Sequence, residues 1–151
     1  MTTKSLPLLV LAALLLGCGT EAPRSVVGKW MSKSKQGGVE SIELLQLEDG
    51  GKYQSQATIP GQLGKALVVI EKGTYKVENG LFSVTLEDVD WKFVGVTPDQ
   101  EKALTDQFKK TKSTLIKEAN KNPASTLKWR GSDSFTLVSK GETVLYVRAK
   151  E

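Results

Sequence analysis

Of 151 residues, none is histidine and only one is cysteine, Cys18. Ser-His-Asp and Cys-His catalysis, His-ligated zinc and an internal disulfide are therefore excluded. The densest group of acids is Glu87, Asp88 and Asp90, in which Asp88 and Asp90 share one face of an extended segment. Paired carboxylates can do acid-base work or hold calcium, but calcium loops need more oxygen ligands at a defined spacing, and two acids beside a turn are ordinarily just solvated. Glycines stand singly or in pairs at turns, so no phosphate-cradling loop is present. The sequence assigns no catalytic residue, no metal ligand and no cofactor, and the expectation is a protein that is not an enzyme.

Aromatic side chains offer a different chemistry. Tyr53, Tyr75, Phe82, Trp91, Phe93, Trp129 and Phe135 fall in segments of alternating polarity, interleaved with the small Ser55 and Ala57. Inside a β-barrel such a set either lines a ligand cavity or simply fills the taper of the core. Both readings stay open at this level.

The elements that position these residues begin after a leader. Lys4 precedes an eleven-residue apolar run over residues 6–16, too short to span a bilayer that takes about 20 residues. It ends in Leu15-Leu16-Gly17-Cys18, which resembles the lipobox of bacterial lipoproteins. The resemblance implies cleavage before Cys18, acylation of its sulfur and new amino group, and attachment to a membrane through several acyl chains. Residues 1–17 then form a signal peptide and residues 18–25 an acylated cysteine with a short polar tether, reaching at most about 25 Å. Removing the leader takes away Lys4 alone and lowers the net charge from +4 to +3, too mild to argue for nucleic acid. Gly19 after the cysteine implies the outer membrane if the host has two.

Residues 26–151 read as one domain of short strands. Asp49-Gly50-Gly51, Asn79-Gly80 and Lys140-Gly141 are hairpin turns, and Tyr53, Ser55, Ala57 and Ile59 alternate strictly with polar partners. The apolar phase flips between Leu44 and Leu45, which predicts a bulge there. Gly73 inside a strand predicts a bend. Residues 81–86 and the following Val89, Trp91 and Phe93 read as two strands. Thr97-Pro98 with Gln100 combines an N-cap, a first-turn proline and a capping box, predicting a helix over residues 98–121. Leu104, Phe108, Thr111, Leu115 and Ala119 make its apolar stripe, and Leu104, Phe108 and Leu115 are the candidate lid over the mouth of a barrel. The fold class is mainly β: an up-and-down antiparallel barrel of about eight to nine strands, with one long amphipathic helix inserted before the last three.

Gly28-Lys29-Trp30 at the first strand is similar to the Gly-x-Trp signature of lipocalins. Gly73-Thr74-Tyr75, residues 129–137 and Tyr146-Val147-Arg148 resemble small bacterial lipocalin-like lipoproteins. The resemblance implies a lipocalin-like barrel closed by Trp30 with Arg148 from the last strand across its ring. It also implies a membrane-anchored cell-envelope lipoprotein that binds a small apolar or amphipathic ligand without catalysis. The alternative is an envelope interaction or structural module with a packed barrel and no ligand; neither reading names a protein partner. If Cys18 is the acylation site, Cys18→Ala should abolish incorporation of a labelled fatty acid in growing cells, and labelling that persists in the variant would contradict the assignment.

Overall fold

The computed structural model describes residues 24–150 apart from residue 37; the leader, Cys18 and most of the tether lie outside the described residues. Among these residues the chain forms β1 (Gly28–Gln36), β2 (Val39–Leu47), β3 (Lys52–Pro60), β4 (Ala66–Glu78), β5 (Leu81–Val94), α1 (Pro98–Ala119), β6 (Ser125–Trp129), β7 (Ser134–Ser139) and β8 (Glu142–Arg148). Each strand pairs with its neighbours in sequence, and β8 returns to β1, so eight antiparallel strands close an up-and-down barrel. Tight turns make this order inexpensive. At the β4–β5 turn Asn79 and Gly80 have φ of 52° and 75°, the left-handed pair that matches strand twist in two-residue hairpins.

The lower end is sealed by aromatic rings. Trp30 and Phe135 are fully buried, their ring centroids 4.7 Å apart and edge-on, with Trp129 5.6 Å from Phe135. Trp30 and Arg148 are register partners where β1 meets β8, and the guanidinium carbon lies 4.3 Å from the centroid of the Trp30 ring. The indole Nε1 donates to the Val26 carbonyl (2.7 Å), while Arg148 Nε donates to Asp133 (3.2 Å). The buried indole nitrogen of Trp30 thus has a partner, as burial requires.

Two expectations about the strands need correction. Register runs unbroken along β2 in both of its pairings, so no bulge separates Leu44 from Leu45. Ile42 and Leu44 instead point outward, 38% and 48% exposed, and Ser41, Glu43, Leu45 and Leu47 share the inner face. Residues 81–94 form one strand, not two. The register of β4 against β5 shifts at Lys72/Gly73, where Gly73 faces Leu86 and Lys72 faces Asp88, leaving Glu87 as the extra residue. A Cβ on residue 73 would collide with the Thr85 carbonyl oxygen, so the bulge needs glycine here. Beyond it the inner face passes from Phe82, Val84 and Leu86 to Val89, Trp91 and Phe93.

Beyond Phe82, β5 keeps β4 on one edge but loses its ladder with β6 on the other. β6 pairs with β5 only at Leu81–Thr126 and Phe82–Ser125, and α1 packs along the remaining length. The helix starts as its sequence predicts: Thr97 Oγ1 accepts from Gln100 N–H and Gln100 Oε1 accepts from Thr97 N–H. Its packed face is turned from the expected one. Leu104, Phe108, Lys112, Ile116 and Ala119 are half-buried, whereas Thr111 is exposed and Leu115 is 43% exposed. On this face Lys112 Nζ lies 2.6 Å from Asp88 and 3.3 Å from Asp90 on the outer face of β5, beside the packed Phe108 and Ile116. Phe108 packs on Trp91 and Phe93 at 4.9 and 5.6 Å. At the C-terminal cap, Asn120 accepts from Leu86 N–H (2.7 Å) and donates to Leu86 C=O (2.9 Å), standing in for a ladder partner. Among the described residues no helix is long and apolar enough to cross a membrane.

Removing the seal should cost the barrel dearly. Trp30→Ala should lower unfolding free energy by about 3–5 kcal/mol, and Arg148→Ala by about 0.5–2 kcal/mol, as read from urea denaturation. A Trp30→Ala variant as stable as the parent would contradict the packing described.

Candidate binding cavity

Above the aromatic seal the barrel is not filled. A cavity of about 550 Å³ occupies the upper lumen, walled by β2 to β8 and by Ala119, Asn120, Asn122 and Pro123 where α1 runs into β6. Its mouth lies at the β7–β8 hairpin, with Ser139, Lys140 and Glu142 on the rim. One part of the wall is apolar: Leu45, Phe82, Val84, Leu86 and Leu137. The rest is Glu43, Tyr53, Ser55, Glu71 and Tyr146. A second hollow of about 740 Å³ lies outside the lumen against Gly28, Glu48 and Arg148; it is more open to solvent and has no aromatic wall.

The polar side is built by register. Across β2, β1 and β8 the inward residues Glu43, Ser32 and Tyr146 stand in one row. Glu43 Oε2 accepts from the Tyr146 hydroxyl at 2.8 Å and from Ser32 Oγ at 3.3 Å. Ser55 and Glu71 face each other across β3 and β4. Among the described residues no hydrogen bond or ion pair reaches the Ser55 hydroxyl, the Tyr53 hydroxyl or the Glu71 carboxyl, although Ser55 is only 4% exposed and Tyr53 6%. Their hydrogen-bonding capacity is turned into the cavity.

Electrostatics follow from that placement. Burial first, and the neighbouring Glu43 second, push the Glu71 carboxyl above the ordinary carboxylate range. Burial, then Glu71, Glu43 and Glu87, pushes the Tyr53 hydroxyl up, and burial with Glu43 does the same for Tyr146. Both phenols therefore remain protonated donors across the physiological range.

Of the aromatics expected to line a cavity, Tyr53 and Phe82 do so. Tyr75 does not: it stacks on Phe82 and donates to the Glu48 carbonyl at the lower rim (3.0 Å). Trp129 and Phe135 belong to the seal, and Trp91 and Phe93 lie under Phe108. The candidate lid is corrected likewise. Leu104, Phe108 and Leu115 do not line the cavity; only the last turn of α1 reaches it, because the helix lies along the unpaired length of β5 as a side wall. Asp88 and Asp90 both bind Lys112, whose hydrogen bond holds the Asp88 carboxyl below its usual range. Sequence reasoning missed Glu43, Glu71 and Tyr146. The available signal was the phase of β2, whose buried Leu45 and Leu47 place Glu43 on the inner face by the period of two.

No family model matches the chain, and neither does any curated protein. The closed eight-stranded barrel with one helix is compatible with a lipocalin-like barrel.

The Glu71 shift has a sign in stability. A carboxyl raised above its unfolded value costs nothing where it is protonated in both states; the cost grows as pH rises from the unfolded carboxylate range and is complete above the raised value. Glu71→Gln removes that cost. The variant should melt at a higher temperature than the parent at pH 7–8, with the advantage vanishing below about pH 4. A lower melting temperature for Glu71→Gln at neutral pH would contradict the placement of this carboxyl.

Proposed function

We propose that this protein is a lipid-anchored envelope protein whose lipocalin-like barrel binds a small amphipathic molecule without catalysis. The cavity carries the reading. Its volume falls within the range of small-molecule sites, and it combines an apolar wall with a few convergent polar groups, the arrangement that orients a ligand. Ser55 and Tyr53 strengthen it, because their hydroxyls open onto the lumen with no protein partner and can bond a guest. Glu43 and Glu71 tilt the choice from a purely apolar ligand to an amphipathic one, since a hydrocarbon would strip water from two carboxyls and return nothing. Anchoring rests on the lipobox resemblance at Cys18, and an envelope location follows from it.

A docking module is the second reading, favoured by one feature of the outer wall. Val147, Met31 and Leu44 are register partners across β8, β1 and β2, and with Leu145 and Ile42 they expose an apolar strip, each 36–48% exposed. Native mass spectrometry of the full-length protein separates the two. Ligand binding predicts a one-to-one small-molecule adduct that Leu137→Trp, which pushes an indole into the lumen from its apolar wall, weakens. A protein free of adduct but carrying a stoichiometric protein partner would favour docking instead.

A further inference from the structure

Resting on the amphiphile-binding reading of this cavity, we propose that the ligand's polar end is a protonated amine, seated among Glu43, Ser55 and Glu71, with its apolar body against Leu45, Phe82 and Leu137.

The charge of the lining points this way. Three carboxyl groups, Glu43, Glu71 and Glu142, and one ammonium, Lys140, contribute to the wall, and the ammonium is at the rim, donating to Asn122 Oδ1 at 2.9 Å. An anionic head would therefore enter a lumen of its own sign. A neutral hydroxyl would leave two carboxyl groups sharing the site with no cation between them.

The hydrogen-bond inventory gives the same answer independently. Glu43 already receives the Tyr146 and Ser32 hydroxyls through one oxygen, Oε2. What faces the cavity unmatched is an excess of acceptor capacity: Glu43 Oε1, both Glu71 oxygens and the lone pairs of the Ser55 hydroxyl, itself 4% exposed, against two hydroxyl donors, those of Tyr53 and Ser55. An alkylammonium group brings three donors, no acceptor and one positive charge. Ser55 and Glu71 are direct cross-strand partners, so one nitrogen between β3 and β4 can meet both. The like-charge pressure of Glu43 on Glu71 is relieved by the same nitrogen.

A bare metal ion fits less well. Among the described residues no three carboxylate, cysteine or histidine side chains converge, and a cavity of about 550 Å³ with an apolar wall is far larger than an ion requires. The Leu45, Phe82 and Leu137 wall needs a carbon body attached to the charge.

The test uses three soluble probes sharing one body, 4-phenylbutylammonium, 4-phenylbutanol and 4-phenylbutyrate, titrated calorimetrically at pH 7.5 into the full-length protein in phospholipid nanodiscs, with empty nanodiscs as blank. The ammonium probe should bind at least about tenfold more tightly than the alcohol, and the carboxylate most weakly. The E43Q/E71Q double variant should bring ammonium and alcohol to equal affinity. Alcohol or carboxylate binding as tightly as ammonium to the parent protein would overturn the amine assignment while leaving amphiphile binding intact. No binding of any probe to the parent would overturn both. These comparisons on the parent protein decide the matter even if the double variant folds poorly.

Discussion

The bulge at Gly73 and Glu87 is the constraint on which the rest of the barrel depends. It inserts one residue into β5 and reverses the inner face of that strand at mid-height. Below it, Phe82 and Leu86 pack on the core and form its upper surface toward the cavity; above it, Val89, Trp91 and Phe93 face the same side from the opposite parity. β5 has already parted from β6 after Phe82, and just before the bulge Leu86 turns its peptide groups to Asn120 instead. A strand left with an open edge invites misassociation, and α1 covers this one. The helix has no fully buried residue, so its attachment relies on Phe108 over two rings, Lys112 between two aspartates, and the Asn120 clasp.

Closure divides the lumen into two kinds of interior. The lower half is an aromatic and aliphatic core around Trp30, Phe135 and Leu47, packed without room for solvent. The upper half carries hydroxyls and carboxyls on the same inward positions of the same strands. On β2 the change occurs between Leu45 and Glu43; on β3 it occurs between Tyr53 and Ser55. A packed core does not tolerate a run of Ser32, Glu43, Ser55 and Glu71 on facing strands, because each brings a desolvation cost that hydrocarbon cannot repay. Polar residues at these positions mark the level at which the barrel stops being a core and becomes a container.

Much of this architecture is legible in the sequence, and the exceptions have physical causes. Strict alternation in β3, the turn at Asn79-Gly80 and the capping box at Thr97 each express a local rule that tertiary packing leaves untouched. Strand count was ambiguous because the β5 bulge looks, in one dimension, like a break between two strands. Apolarity along α1 points to Leu104, Phe108 and Ala119 correctly but to Leu115 over Ile116, because one dimension does not show that Leu115 has no wall to meet while Ile116 and Lys112 face β5 and the core. The carboxyls of the cavity escaped notice for the opposite reason. Apolarity is a guide to the inside only where the inside is a core, and in upper β2 the leucine and isoleucine face solvent while serine and glutamate face the lumen.

The upper lumen is thus read as a preformed container with a cation-seeking side. A crystal structure of the full-length protein grown with 4-phenylbutylammonium tests it most directly. The probe should lie inside the barrel, its nitrogen about 3 Å from Glu71 and Ser55 and its phenyl ring on Phe82 and Leu137. An empty lumen with the probe on the outer strip of Met31, Leu44 and Val147, or a lumen closed by collapsed side chains, would contradict it.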